Sequence, residues 1–171
     1  MPAEIESRYL IPDRLLFDRL RRLERLGSLA VIPRGKVRIV DLYLDTPGRA
    51  LLRQGWACRL RLADGSPLVT LKGPKPTQGA GGSRPEWEVA LAARTLDAER
   101  WPAGELRDQV QALTGGSALG VVARIRQTRH RAALRDGERL VGELSLDVVS
   151  VVGRGLRHRA LLLEAELAES G

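Results

Sequence analysis

Glu4-Ile5-Glu6-Ser7-Arg8-Tyr9-Leu10-Ile11, the first strand-like stretch of the chain, governs how the rest is read. In an extended strand side chains alternate between faces, so Glu4, Glu6 and Arg8 point one way and Ile5, Ser7 and Tyr9 the other. Same-face neighbours are about 7 Å apart. Carboxylates filed in this way repel one another, and a divalent cation, which takes hard oxygen ligands, relieves the repulsion. A solvated strand face would show the same three residues by coincidence, and the stretch alone favours that reading. The remaining strands decide the matter.

A chain of 171 residues fits one domain, residues 1–171, with room for a real core. Aromatic residues make up only 4%, so that core is built from Leu, Val, Ala and Ile. No apolar run approaches the roughly 20 residues of a membrane span, and Met1-Pro2-Ala3-Glu4 lacks the basic and apolar regions of a secretory signal. The single cysteine, Cys58, excludes an internal disulfide framework and fits a reducing, cytoplasmic setting. It alternates with arginines in a strand and reads as a small packed side chain. Lys and Arg exceed Asp and Glu by 28 to 21, a net charge of +7 carried mainly by arginine. Such a surplus suits a polyanionic or phosphate-rich partner, since arginine's planar fork matches phosphate oxygens.

Pro12-Asp13 opens a helical pattern with Leu16, Leu20 and Leu23, expected to end at Gly27. Strands are predicted at Lys36–Leu44, Trp56–Leu62, Pro67–Pro74, Arg84–Leu91, Val121–Leu134, Arg139–Val149 and Arg159–Leu167. Asp64-Gly65 and Asp136-Gly137 are hairpin turns, and the glycine-rich Thr77–Ser83 reads as a mobile hairpin connection. That loop is not a phosphate loop, because no Gly-Lys-Ser/Thr and no helix follow it. Helical patterning over Leu96–Leu113 breaks at Pro102 and closes at Gly115-Gly116. Eight strand segments with two helical regions predict a mostly antiparallel β (α+β) fold, its sheet large enough to close on itself. His130 and His158 lack zinc-ligand spacing and are expected at the surface, while Trp56, Trp87 and Trp101 are expected to pack.

Alternating pairs of charge recur along these strands: Glu4/Glu6, Arg59/Arg61, Glu86/Glu88, Arg124/Arg126, Glu143/Asp147 and Glu164/Glu166. Periodicity does not say which face is inside. The signs are segregated strand by strand, whereas a solubilising face mixes them. Acids converging beside Arg and Lys form the arrangement that holds a divalent metal against a chain of phosphates. Nucleic acid is disfavoured, because interleaved glutamates repel a phosphate backbone.

The stretch Glu4-Ile5-Glu6-Ser7-Arg8 resembles the Glu-x-Glu-x-Lys signature of the CYTH superfamily, the triphosphate tunnel metalloenzymes. The agreement continues through Asp41-Leu-Tyr-Leu-Asp45-Thr46, Arg59-Leu-Arg61, Leu71-Lys72-Gly73-Pro74, Glu86-Trp-Glu88, the Arg124–Arg131 strand, Asp147 and Glu164-Ala-Glu166. These motifs fall in the family's order over nearly the whole chain. The resemblance implies an eight-stranded antiparallel β-barrel tunnel with flanking helices and metal-dependent hydrolysis of a small triphosphate, foremost inorganic tripolyphosphate, with Mg²⁺ or Mn²⁺. It also implies that Glu4, Glu6, Glu88, Asp147, Glu164 and Glu166 surround the metal. Arg8, Arg59, Arg61, Lys72, Arg124, Arg126 and Arg129 match positions that grip the triphosphate, and Glu4, Glu6, Arg8 and Glu166 match catalytic ones. Glu86 matches a further acidic position of the tunnel. Arg129 and Arg131 fall out of phase with Arg124 and Arg126, and a bulge near Gln127-Thr128 is expected to re-aim them.

The match is nearest the bacterial branch in which this domain precedes a CHAD domain, which makes a CHAD partner or polyphosphate an expectation. The chain ends just past Glu166, where a linker to such a domain would begin. Two departures stand out: the motif lysine is Arg8, a fork in place of a point donor, and no helical pattern follows the last strand. They motivate an alternative, a polyphosphate-binding module with little catalysis. Adenylate cyclase-like nucleotide chemistry is a further branch of the superfamily.

Overall fold

The computed structural model describes residues 6–63, 65–74, 85–153 and 155–168, with Glu6 and Leu156 described as backbone only. Glu4, Asp64, the Thr77–Ser83 loop, Arg84 and Arg154 lie outside the described residues. The strands are β1 (Glu6–Ile11), β2 (Arg25–Leu26), β3 (Leu29–Asp45), β4 (Ala57–Leu62), β5 (Leu68–Lys72), β6 (Glu86–Ala90), β7 (Gly120–Asp136), β8 (Arg139–Gly153) and β9 (Leu156–Leu167). The helices are α1 (Arg14–Arg21), α2 (Ala50–Arg53) and α3 (Glu105–Thr114), with a 3₁₀ turn at Ala98–Arg100. Hydrogen bonding orders the strands β1-β9-β8-β7-β3-β4-β5-β6, with β2 beside β3. The mostly antiparallel fold expected from the sequence is therefore present. Among the described residues no ladder joins β6 to β1, so the sheet is open where a closed barrel was expected.

The chain divides into two compact units: Met1–Arg38, Arg126–Val151 and Arg157–Gly171 form the first, Ile39–Ile125 and Val152–Leu156 the second. In the second, the pairing registers set Leu42, Leu60, Val69 and Val89 in one row across β3, β4, β5 and β6. The adjacent row on the same face is Leu44, Cys58, Leu71 and Trp87. Leu106 and Val110 of α3 cover these rows, and Trp101 joins the same core. Leu60, Val69 and Leu71 are fully buried, each such side chain contributing about 1.5–3 kcal/mol. The period-two alternation thus hands the apolar residues to α3 and leaves the other face of these four strands to charge.

The first unit has a smaller core. Asp13 caps α1 by accepting from the Leu16 amide at 2.8 Å, which lowers Phe17 onto Ile11 and Leu146. The helix ends at Arg22 rather than at Gly27. Gly27, at φ +60°, instead turns the β2–β3 hairpin. A left-handed glycine serves either purpose, so the sequence did not separate a helix stop from a hairpin turn. His130, expected at the surface, is half-buried edge-on to Phe17 at 6.1 Å, whereas His158 is exposed.

Candidate active site

In the second unit the charged face is built row by row. Tyr43, Arg59, Thr70 and Glu88 stand in one register across β3 to β6, with Asp41 and Arg61 paired beside them. Arg61 makes a two-point contact with Asp41, Nε to Oδ1 at 2.8 Å and NH2 to Oδ2 at 2.9 Å. Asp41 is buried, so this fork meets a carboxylate away from water, where such pairs are strongest. Arg59 NH2 donates to Thr70 Oγ1 at 3.1 Å, and that hydroxyl donates to Glu88 Oε2 at 3.1 Å. Lys72 Nζ lies 2.8 Å from Glu86. The buried Nε atoms of Arg59 and Arg124 find no hydrogen-bond partner among the described residues. A buried donor left unmade costs about 1–3 kcal/mol, an amount an entering acceptor recovers.

Asp45, part of the Asp41–Thr46 motif, has a different task. Its Oδ1 accepts from the Thr46 and Leu51 amides at 2.8 and 3.0 Å, and its Oδ2 from Leu52 at 3.1 Å. It caps the short α2 turn. Burial, reinforced by the Asp45 charge, pushes the Cys58 thiol up to about 12. Cys58 is therefore a protonated core side chain, not a nucleophile.

In the first unit Arg129 Nε donates to Asp147 Oδ1 at 3.0 Å, and its NH2 donates to Asp147 Oδ2 at 2.8 Å and to Glu164 Oε2. Asp147 is 0% exposed. Burial opposes the charge on Arg129, but the hydrogen bonds and charge of Asp147, joined by Glu164, hold its pKa above the usual value. Arg8 NH2 reaches Glu164 Oε1 at 2.6 Å. The β1–β9 register sets Arg8 opposite Glu164 and Glu6 opposite Glu166. Glu143, Glu166, Arg131 and Arg34 line a cavity of about 470 Å³ in the same unit. Gly142 is required there, because a Cβ at that position would run into the Glu166 carbonyl.

Of the residues expected from the sequence, Arg8, Arg129, Asp147 and Glu164 thus join in one network, and Arg59 and Glu88 meet through Thr70 in another. Arg61 and Lys72 lie on the face that carries Arg59. Arg124 is half-buried in the second unit, Arg126 is exposed in the first, and Glu166 is exposed at the end of β9. No group of three or more His, Cys, Asp or Glu side chains poised for a metal occurs among the described residues. Two of the expected metal ligands, Glu4 and the Glu6 side chain, lie outside them. Asp41 and Thr70 carry more of the site than the sequence indicated. The signal was cross-strand register, which opposes Asp41 to Arg61 and Thr70 to Arg59.

The molecule is an antiparallel β protein whose strands alternate an apolar face with one that carries acids and arginines. Residues 2–167 match the model of the CYTH domain, and the chain belongs to that family. Among solved structures it is similar to an adenylyl cyclase candidate from Hippeastrum with a dominant triphosphatase activity, at 20% identity, TM-score 0.67, covering 98% of this chain and 80% of that one. It is also similar to an adenylate cyclase candidate from Bacillus halodurans, at 24% identity, TM-score 0.59, covering 98% and 81%. A third, the PH1819 protein of Pyrococcus horikoshii OT3, matches at 19% identity and TM-score 0.54, covering 99% and 80%. These three likenesses establish the fold.

Proposed function

We propose that the chain is a metal-dependent triphosphatase that hydrolyses inorganic tripolyphosphate or another small triphosphate. The observation that carries this reading is the cationic surplus of the second unit. Among the described residues the buried Nε atoms of Arg59 and Arg124 find no partner, and Arg61 and Lys72 share the face that carries Arg59. Triphosphate oxygens are the acceptors that such donors lack. Membership of the CYTH family and the triphosphatase activity of the Hippeastrum protein support it.

The donor set fits Mg²⁺ or Mn²⁺, since every acidic residue assigned to it offers hard carboxylate oxygens and Glu6 and Glu166 share one register position. The residues assigned to the ion are Glu4 and, in the first unit, Glu6, Asp147, Glu164 and Glu166, with Glu88 as the second unit's candidate. Bound there, it supplies charge neutralisation on the phosphate oxygens. The residues assigned to binding and orienting the phosphates are Arg59, Arg61, Lys72 and Arg124 in the second unit and Arg126 and Arg129 in the first. Arg8 is directed at the terminal phosphoryl group. A carboxylate, Glu4 or Glu166, takes a proton from the attacking water as the terminal P–O bridge breaks and pyrophosphate leaves. Positioning and electrostatics carry most of such a reaction.

Phosphate release from tripolyphosphate, with ATP in parallel and with or without Mg²⁺ or Mn²⁺, tests this. Metal-dependent turnover is expected, and Glu6→Gln is expected to abolish it while leaving the circular dichroism spectrum unchanged. Undiminished release from that variant would refute the metal assignment. One observation favours the alternative of a polyphosphate-binding module, set beside a CHAD partner: Arg8 stands in place of the motif lysine and is ion-paired with Glu164 at 2.6 Å. Binding of tripolyphosphate without turnover under either metal, restored by Arg8→Lys, would select that reading. A cyclic nucleotide product from ATP would select cyclase chemistry.

A further inference from the structure

In the first unit the residues flanking the charged network face the other way. His130 follows Arg129, Leu146 precedes Asp147 and Leu163 precedes Glu164 in strands whose side chains alternate. Those three line a cavity of about 360 Å³, within the range of small-molecule pockets. Leu20, Leu23, Leu26, Val31 and Leu144 supply more of its wall. The space lies where α1 ends at Arg22 and the chain turns away into β2, so the apolar layer under Phe17 is not continued by the helix.

The rim is basic. Arg21, Arg22, Lys36 and Arg131 border the cavity, and no Asp or Glu stands among its described lining residues. The excess acts on the interior: burial lowers the His130 pKa, and the charges of Arg21, Lys36 and Arg14 lower it further, against an opposing pull from Asp147. An apolar chamber bordered by cations from both α1 and β3 matches a ligand with an alkyl body and an anionic head.

We propose that this cavity is a second binding site, on the sheet face opposite the charged network, for a soluble medium-chain alkyl carboxylate. The tail lies along the leucines and the head meets Arg21, Arg22 and Lys36. With a methylene taken as about the size of a water, about 30 Å³, the space of about 360 Å³ takes at most roughly twelve carbons, and decanoate fits within it. Each buried methylene strengthens binding about fourfold, so decanoate should bind about sixteenfold more tightly than octanoate.

The test uses the full chain titrated with decanoate, octanoate and decyltrimethylammonium, followed by calorimetry and by the ring resonances of the chain's 2 histidines. Decanoate should shift His130 and leave His158, which does not line the cavity, in place. Arg21→Glu with Lys36→Glu, both at exposed positions, should weaken decanoate roughly tenfold while phosphate release from tripolyphosphate stays unchanged. Leu26→Trp, at a position 46% exposed, should block binding by filling the space. Equal affinity for decanoate and its cationic counterpart, equal affinity for the two carboxylates, or an unmoved His130 below micelle formation would each overturn the proposal. None of these outcomes bears on the triphosphatase reading.

Discussion

In the first unit Arg129 is enclosed by Asp147 and Glu164, and Glu164 is shared with Arg8. In the second, Arg59 gives one NH2 to a neutral hydroxyl and lies 3.8 Å from the Asp41 that Arg61 already grips, while its buried Nε and that of Arg124 find no partner among the described residues. Both networks sit on the polar side of alternating strands, yet one is closed on itself and the other has donors left over. The apolar cores differ in the opposite sense. The second unit packs Leu60, Val69, Leu71 and their neighbours under α3, while the first relies on a small cluster at Ile11, Phe17 and Leu146. The donors of Arg129 are thus met within the first unit, whereas a buried donor of Arg59 and one of Arg124 find no acceptor among the described residues.

Breaking the closed network should have the largest effect. Arg129→Met keeps the stem but leaves Asp147, 0% exposed, without its counter-charge. Removing one partner of a buried pair costs about 3–5 kcal/mol, which a urea midpoint would show directly. Adding Asp147→Asn should recover much of the loss, because the uncompensated carboxylate is then gone. A loss below about 1 kcal/mol in the single variant, the range of exposed ion pairs, would remove the contrast between the units.

Arg59→Ala should do the reverse. Thr70 retains Glu88, and Asp41 retains Arg61, so the fold keeps its partners. Tripolyphosphate loses hydrogen bonds from a charged donor, each about 1.5–3 kcal/mol, or roughly ten- to a hundredfold in Kd by calorimetry. That deficit should shrink in high salt, where screening weakens the attraction the wild type retains. A variant that unfolds more readily but binds tripolyphosphate as before would show that the second network is structural as well.

The sequence made the rows legible and left the partners unread. Strict alternation within β4 put Arg59 and Arg61 on one face because period two needs no knowledge of the neighbouring strand, whereas Lys72 joins that face only through the β4–β5 register. Pairing Asp41 with Arg61 does need that knowledge: the two are 20 residues apart and meet only through the β3–β4 register. Arg129 is out of phase with Arg124 and Arg126, so parity alone does not say which of these arginines meets Asp147. Gly27 went the same way, since its positive φ serves a helix end and a hairpin equally well. Closure of the sheet was expected from strand number, whereas the described ladders end at β1 and β6. Closure is a property of long-range hydrogen bonding, and strand count does not encode it.

The smallest effect separates the units by pH. Both histidines, His130 and His158, belong to the first unit and none to the second, so titration around neutrality reports on the first. Burial, and then the charges of Arg21, Lys36 and Arg14, lower the pKa of His130 from its ordinary value of 6.5. The unfolded chain therefore takes up this proton more readily than the native one. The sign follows: the contribution is fully present above about pH 6.5 and is lost as pH falls through the depressed native value. His130→Phe keeps a ring edge-on to Phe17 and removes the proton. Thermal midpoints taken from pH 7.5 down to pH 5.5 should fall more steeply for the wild type than for the variant, with the curves diverging below about pH 6.5. Parallel curves would mean that neither burial nor the positive charges of α1 and β3 hold the His130 pKa down in solution.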